Sequence, residues 1–172
     1  MEFNEVLEKR HSIRTFQKKD IPKDKLDRII KAVLSCPTAG NLQSYRLWVV
    51  KKKDRKVALS EAAFGQTFVA DASVVLVFCA CPGASSSKYG DRGKELYSTQ
   101  DATIATAFAH LTAVNEGFGS CWVGAFNPEA VIKALDLPKN MVPVSILPIG
   151  IPLREPNKTA RKPLKEMVTF DE

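Results

Sequence analysis

Arg10, Ser12 and Arg14 place two guanidinium groups and a hydroxyl at alternate positions of one short segment. A spacing of four brings Arg10 and Arg14 to one side whether the chain is helical or extended, but Ser12 joins them only if it is extended. Guanidinium forks match phosphate and carbonyl oxygens bidentately, which lysine cannot do. Two arginines here also suit a helix C-terminus, where cations complement the macrodipole, so the segment alone leaves both readings open. A second segment, Pro37-Thr38-Ala39-Gly40-Asn41-Leu42-Gln43, combines small residues with two amides. Gly40 lets backbone N–H groups approach a ligand closely, and Asn41 and Gln43 can both donate and accept. Taken alone it reads as an ordinary turn with an Asx bond.

The third unusual stretch runs from Gly117 to Pro128, where Gly117 and Gly119 precede a short apolar run and Gly124-Ala125 follow it. Backbone N–H groups at Gly124 and Ala125 would be open at the end of a strand. The chain has no GxGxxG and no GxxxxGK[ST], which argues against a Rossmann site or a P-loop, and no GxSxG nucleophile.

The remaining composition bounds the class. The 172 residues suit one domain, and the net charge of +6 comes from 25 basic and 19 acidic residues. That excess suits anionic small molecules; a nucleic-acid-binding domain is the weaker alternative, because no aromatic residues interleave the Lys51-Lys52-Lys53 cluster. Cys36, Cys79, Cys81 and Cys121 lack zinc spacing and read as reduced thiols. No apolar stretch reaches membrane-spanning length, and the first residues lack a secretory pattern, so the expected location is cytoplasmic.

The elements that must position these residues follow from apolar spacing. Asn4 is the expected cap of a first helix ending near Arg10, with Val6 and Leu7 inward. Pro22 opens a second helix whose buried face carries Leu26, Ile29, Ile30, Val33 and Leu34. Strands are expected at Leu47–Val50, Val74–Cys81, Cys121–Gly124 and Val142–Ile149, and helices at Asp54–Phe64, Thr99–Phe118 and Pro128–Leu135. Val74–Cys81 reads as a central strand covered on both faces. Pro82–Ser98 reads as a long polar loop. Residues 151–172 read as an extended tail of the single domain, packed on something else such as a second subunit. Helices precede the first strand and no clean βαβ series appears, so the class is α+β with a mainly antiparallel or mixed sheet.

The order Arg-x-Ser-x-Arg, Pro-Thr-Ala-Gly-Asn-Leu-Gln, Gly-x-Gly-Ser-Cys-Trp-Val-Gly and Leu-Pro-Ile-Gly with a basic tail resembles the FMN-dependent nitroreductase family over nearly the whole chain. The resemblance implies a three-layer α/β/α fold, an intertwined homodimer and an FMN site at the subunit interface. Carried over to this sequence, Arg10 contacts the FMN phosphate, with His11 and Ser12 on the phosphate and ribityl chain. Arg14 reaches the flavin pyrimidine and, by stabilising charge at N1 and O2, counts as catalytic. Pro37, Thr38, Ala39, Asn41 and Gln43 line the ring and ribityl chain from the partner subunit. Gly124 offers its backbone N–H near flavin N5, beside Ala125, and Arg161, or Lys162 next to it, adds a phosphate cation. Thr38, Ser44 and Tyr45 depart from the usual Pro-Ser-Ala-Gly-Asn-x-Gln-Pro-Trp, although Thr38 keeps the hydroxyl. Tyr89 and Tyr97 are the candidate substrate contacts. The implied chemistry passes hydride from NADH or NADPH to FMN and then to a small acceptor, a nitroaromatic or quinone, in a ping-pong cycle. A same-fold reductase of an enone or halogenated aromatic and a non-enzymatic flavin-binding module are the alternatives.

Overall fold

Val74–Ala80 forms strand β2, with every side chain buried, at the heart of a four-stranded sheet. The computed structural model describes residues 1–154 and 159–171. In chain order these residues form α1 (Phe3–Lys9), α2 (Lys23–Leu34), β1 (Tyr45–Val50), α3 (Lys53–Ala62), α4 (Phe68–Asp71), β2, α5 (Pro82–Arg92), α6 (Ser98–Asn115), β3 (Gly119–Ser120), α7 (Pro128–Leu135), β4 (Val142–Gly150) and α8 (Leu164–Met167). The strand order is β1-β2-β4-β3 with antiparallel ladders, and a parallel bridge from Ser12 to Ser120 extends the β3 edge.

Alternation along β2 divides the core in two. Leu76 and Phe78 pack with Leu26, Ile29 and Val33 of α2 and with Ala102, Ala105, Ala109 and Ala113 of α6. Val75, Val77 and Cys79 face the other way, onto Leu59 of α3, Val69 of α4 and Val131 and Leu135 of α7. The alanine row lets α6 lie close on the sheet. The result is the expected three-layer α/β/α arrangement.

Several boundaries differ from expectation. Helix α1 is capped by Glu2, whose reciprocal box with Glu5 satisfies the first turn, so Asn4 lies inside the helix and Leu7 is exposed. Pro22 is the N-cap rather than the first residue of α2, and Leu34 stands 69% exposed instead of facing the core. The expected strand at Cys121–Gly124 reduces to one bridge between Val123 and Ile146, because β3 ends at Ser120.

The largest correction concerns Pro82–Ser98, which is helical. Pro82 starts α5 at a position needing no N–H, and Ser86 and Ser87 return their hydroxyls to the carbonyls of Gly83 and Ala84. Gly90, at φ 54°, breaks α5, and a π-helical turn over Gly93–Tyr97 leads directly into α6. Beyond β4, Phe16 bridges Pro152, after which Leu164, Met167 and Phe170 of the tail are exposed, while Pro156 lies outside the described residues.

Candidate functional site

The chain leaves α1 at Arg10 in an extended conformation (φ −66°, ψ 111°) and stays extended through the arginine segment. Ile13 N–H donates to Ser120 O at 3.0 Å, Gln17 N–H to Ile151 O at 2.9 Å and Leu153 N–H to Thr15 O at 3.0 Å. Residues 12–17 therefore act as an added strand, laid along β3 and then along the start of the tail. Ile13 and Phe16 are buried, Arg10 and Ser12 are half-buried, and Arg14 is exposed.

Two glycines permit that approach. Gly119 and Gly150 face each other in the β3–β4 register. A Cβ on Gly119 would sit 2.6 Å from Ile13 Cγ1, and one on Gly150 would sit 2.8 Å from Phe16 Cδ1. Neither contact is physically tolerable, so a side chain at either position would lift the arginine segment off the sheet.

Behind the segment lies a buried polar pair that no sequence motif marks. His110 Nδ1 and Ser120 Oγ are 2.6 Å apart, and the same Ser120 accepts from Ile13 through its carbonyl. Burial, reinforced by the Arg10 charge, lowers the His110 pKa from 6.5 to about 4. The imidazole is therefore neutral at pH 7 and adds no positive charge beneath Arg10. Next along the chain, burial pushes the Cys121 thiol up, while the Arg14 charge and hydrogen bonding from Ser12 and Arg14 oppose it.

The Pro37–Gln43 loop is built differently. Asp101, 1% exposed on α6, accepts from Ala39 N–H at 2.9 Å and from Ser44 N–H at 3.1 Å. Between these anchors Gly40, Asn41 and Gln43 all have φ between 51° and 58°. Thr38 Oγ1 accepts from Gln43 N–H at 3.1 Å, and Gln43 Nε2 reaches Asn41 Oδ1 only at 3.4 Å. Pro37, Gly40, Asn41 and Gln43 are exposed, and Thr38 and Ala39 are half-buried. The loop thus presents backbone and amide groups outward from a buried carboxylate. In the sequence, Asp101 reads as an ordinary acid near a helix start, and nothing local sets it apart.

Gly124 and Ala125 are exposed just past the Val123–Ile146 bridge, and Gln66 Nε2 donates to Ala125 O at 3.3 Å. Arg161 and Lys162 are exposed in the extended tail. Within one chain, the arginine segment meets α6 at His110 and the loop meets it at Asp101. Nine helical positions separate these residues, about 14 Å along the axis. The structure groups Arg10, Ser12 and Arg14 around β3, and sets the loop apart.

Comparison with known proteins follows the same lines. The sequence matches the nitroreductase family over residues 7–82 and 65–151. It is 35% identical to an FMN reductase [NAD(P)H] of Bacillus subtilis, covering 93% of this chain and 70% of that protein. It is 30% identical to an NADH dehydrogenase of Thermus thermophilus, covering 94% and 92%. The fold superposes on B. megaterium NfrA2 with a TM-score of 0.91 at 27% identity, over all of this chain and 75% of that one.

Proposed function

The chain is an oxidoreductase of the nitroreductase family, and we propose that it uses FMN and NAD(P)H to reduce a small electron acceptor by a ping-pong cycle, at a site completed by a second copy of the chain. The observation that carries this reading is the extended Arg10–Arg14 segment on β3. Only Arg10, the C-cap of α1, stays at the helix end, and the extended course beyond it supports grouping Ser12 and Arg14 with it.

The donor set fits a flavin mononucleotide. Arg10, with His11 and Ser12, supplies cationic and hydroxyl groups for the phosphate and ribityl chain. Arg14 would serve the pyrimidine edge, where a guanidinium would stabilise negative charge at N1 and O2. Gly124 and Ala125, both exposed, would supply a backbone N–H for N5. The chemistry a bound FMN would supply is hydride transfer from NADH or NADPH to a nitroaromatic, quinone or similar acceptor. The protein binds, orients and stabilises charge, and needs no side-chain nucleophile.

In this reading the loop wall, with Pro37, Thr38, Ala39, Asn41 and Gln43, comes from the partner subunit, and Arg161 of the tail adds a cation at the phosphate. The separation of the two walls along α6 supports this. So does the apolar surface the monomer leaves open: Met1, Phe3, Val6, Phe108 and Leu111 line a 420 Å³ groove, and tail residues Leu164, Met167 and Phe170 are exposed.

Purified protein is expected to be yellow and to bleach anaerobically with NADH or NADPH. Mixing Arg14→Ala and Asp101→Asn variants tests the shared site. If the walls come from different subunits, each mixed dimer regains one intact site, so a random mixture recovers about a quarter of the sites. Colourless protein that FMN does not reconstitute overturns the cofactor, and a mixture without recovery overturns the shared site.

A further inference from the structure

Tyr89 and Lys88 of α5 lie on the flavin loop of the same chain. A Cβ on Gly40 would fall 2.3 Å from Tyr89 Oη and 3.0 Å from Lys88 Nζ, so the missing side chain is what admits them. The Tyr89 ring meets Tyr97 edge to face with centroids 5.2 Å apart. Arg92 Nε donates to Tyr97 Oη at 2.9 Å, and its guanidinium carbon lies 5.4 Å from the Tyr97 ring centre. Lys88 Nζ lies 5.4 Å from the Tyr89 ring centre.

Backbone geometry fixes this cluster. The break at Gly90 (φ 54°, ψ −141°) falls between Lys88 and Arg92. Gly93 then packs on the Ser85 carbonyl, where a Cβ would come within 2.5 Å. Lys88 and Arg92 are exposed, and among the described residues neither pairs with a carboxylate, although Asp91 and Glu95 share the segment. Arg92 uses Nε within the cluster, which leaves its two terminal nitrogens for a ligand.

Resting on the flavin reading above, we propose that Lys88, Tyr89, Arg92 and Tyr97 bind the adenosine 2′-phosphate end of NADPH and make NADPH the preferred donor. The cluster offers two cations about two aromatic rings. A phosphate monoester on a purine nucleoside uses both features: the guanidinium fork and ammonium take the dianion, and the rings take the purine. Neutral nitroaromatics or quinones have no use for the cations. Asp91 and Glu95 limit the net charge, so the segment is no general anion trap and discrimination rests on the Arg92 fork.

The test uses the wild-type holoenzyme and a K88Q/R92Q double variant. In the variant, kcat/KM for NADPH is expected to fall about tenfold or more while that for NADH changes less than about twofold, at unchanged flavin content. Calorimetry with adenosine 2′,5′-bisphosphate reads the site without turnover. Binding is expected in the wild type and lost in the variant, with 5′-AMP and inorganic phosphate much weaker. Equal loss with both donors, a wild-type preference for NADH, or bisphosphate binding that survives in the variant overturns the proposal. Failure of the wild type to bind FMN overturns the flavin reading instead, and the calorimetry still decides the nucleotide site.

Discussion

The arginine segment and the Pro37–Gln43 loop present similar polar groups, yet they are held by opposite means. The arginine segment is bonded through its backbone to β3 and to the start of the tail, and is pressed onto the Gly119–Gly150 pair by Ile13 and Phe16. Its support is redundant and shared with the sheet. The loop has three residues in the left-handed region, an energetically poor local conformation for Asn41 and Gln43, and one carboxylate beneath it. Distributed support tolerates the loss of a side chain. A single buried anchor does not, so the two walls should fail differently.

The largest difference is expected at Asp101. Asp101→Ala leaves the N–H groups of Ala39 and Ser44 without their acceptor, at a cost of about 2–4 kcal/mol. Urea unfolding should report that loss, and flavin titration a much weakened site. Asp101→Asn can accept one of the two bonds but turns its NH₂ toward the other donor, so it should fall between. A wild-type-like flavin affinity in Asp101→Ala would mean that the loop is held by something else.

On the arginine side the sharpest probe is pH. The native His110 pKa is about 4 against 6.5 for the free side chain. The unfolded chain therefore binds more protons in that window, and stability is full above pH 6.5 and declines toward pH 4. At pH 5 the decline is about 2 kcal/mol. His110→Asn keeps a hydrogen-bonding group toward Ser120 but does not titrate. Its unfolding free energy should change about 2 kcal/mol less than the wild type's between pH 7 and pH 5. Identical slopes would show that the imidazole is not buried neutral beneath Arg10.

How far each wall could be read from the sequence follows the same division. Residue types and order singled out Arg14, Asn41, Gln43, Gly124 and Ala125, all of which are exposed. Periodicity placed Pro128–Leu135 without error, since Pro128 and the Asn127 cap, which accepts from Ala130 N–H at 3.1 Å, mark the start locally. The supports were hidden. Asp101, His110 and the Gly119–Gly150 pair act across long sequence separations, and nothing local distinguishes them from a helix acid, a core histidine or a turn glycine. Pro82–Ser98 reads as a loop because its glycines and serines are poor helix formers, while the contacts that stabilise the helix, Tyr89 on Gly40 and Gly93 on Ser85, leave no periodic apolar pattern.

Arg14→Ala separates the ligand's needs from the fold's. The side chain is exposed, and the segment's attachment runs through backbone atoms, so the unfolding transition should barely move. FMN affinity should drop about tenfold, the size of one charge-assisted hydrogen bond, and the flavin potential should become more negative. An unchanged potential in fully loaded variant would remove Arg14 from the pyrimidine edge.

The smallest effect is expected at Gln43, and it tests the same contrast from the loop side. Its amide lies 3.4 Å from Asn41 Oδ1 in solvent, too long and exposed to hold the loop. Its backbone N–H, which bonds Thr38 Oγ1, survives truncation. Gln43→Ala should therefore shift stability by less than about 0.5 kcal/mol. Flavin affinity should fall by no more than about threefold, because one partly solvated neutral hydrogen bond is at stake. A loss approaching that of Asp101→Ala would mean that the loop's outward amides shape it as much as the carboxylate below, and the two walls would no longer differ in kind.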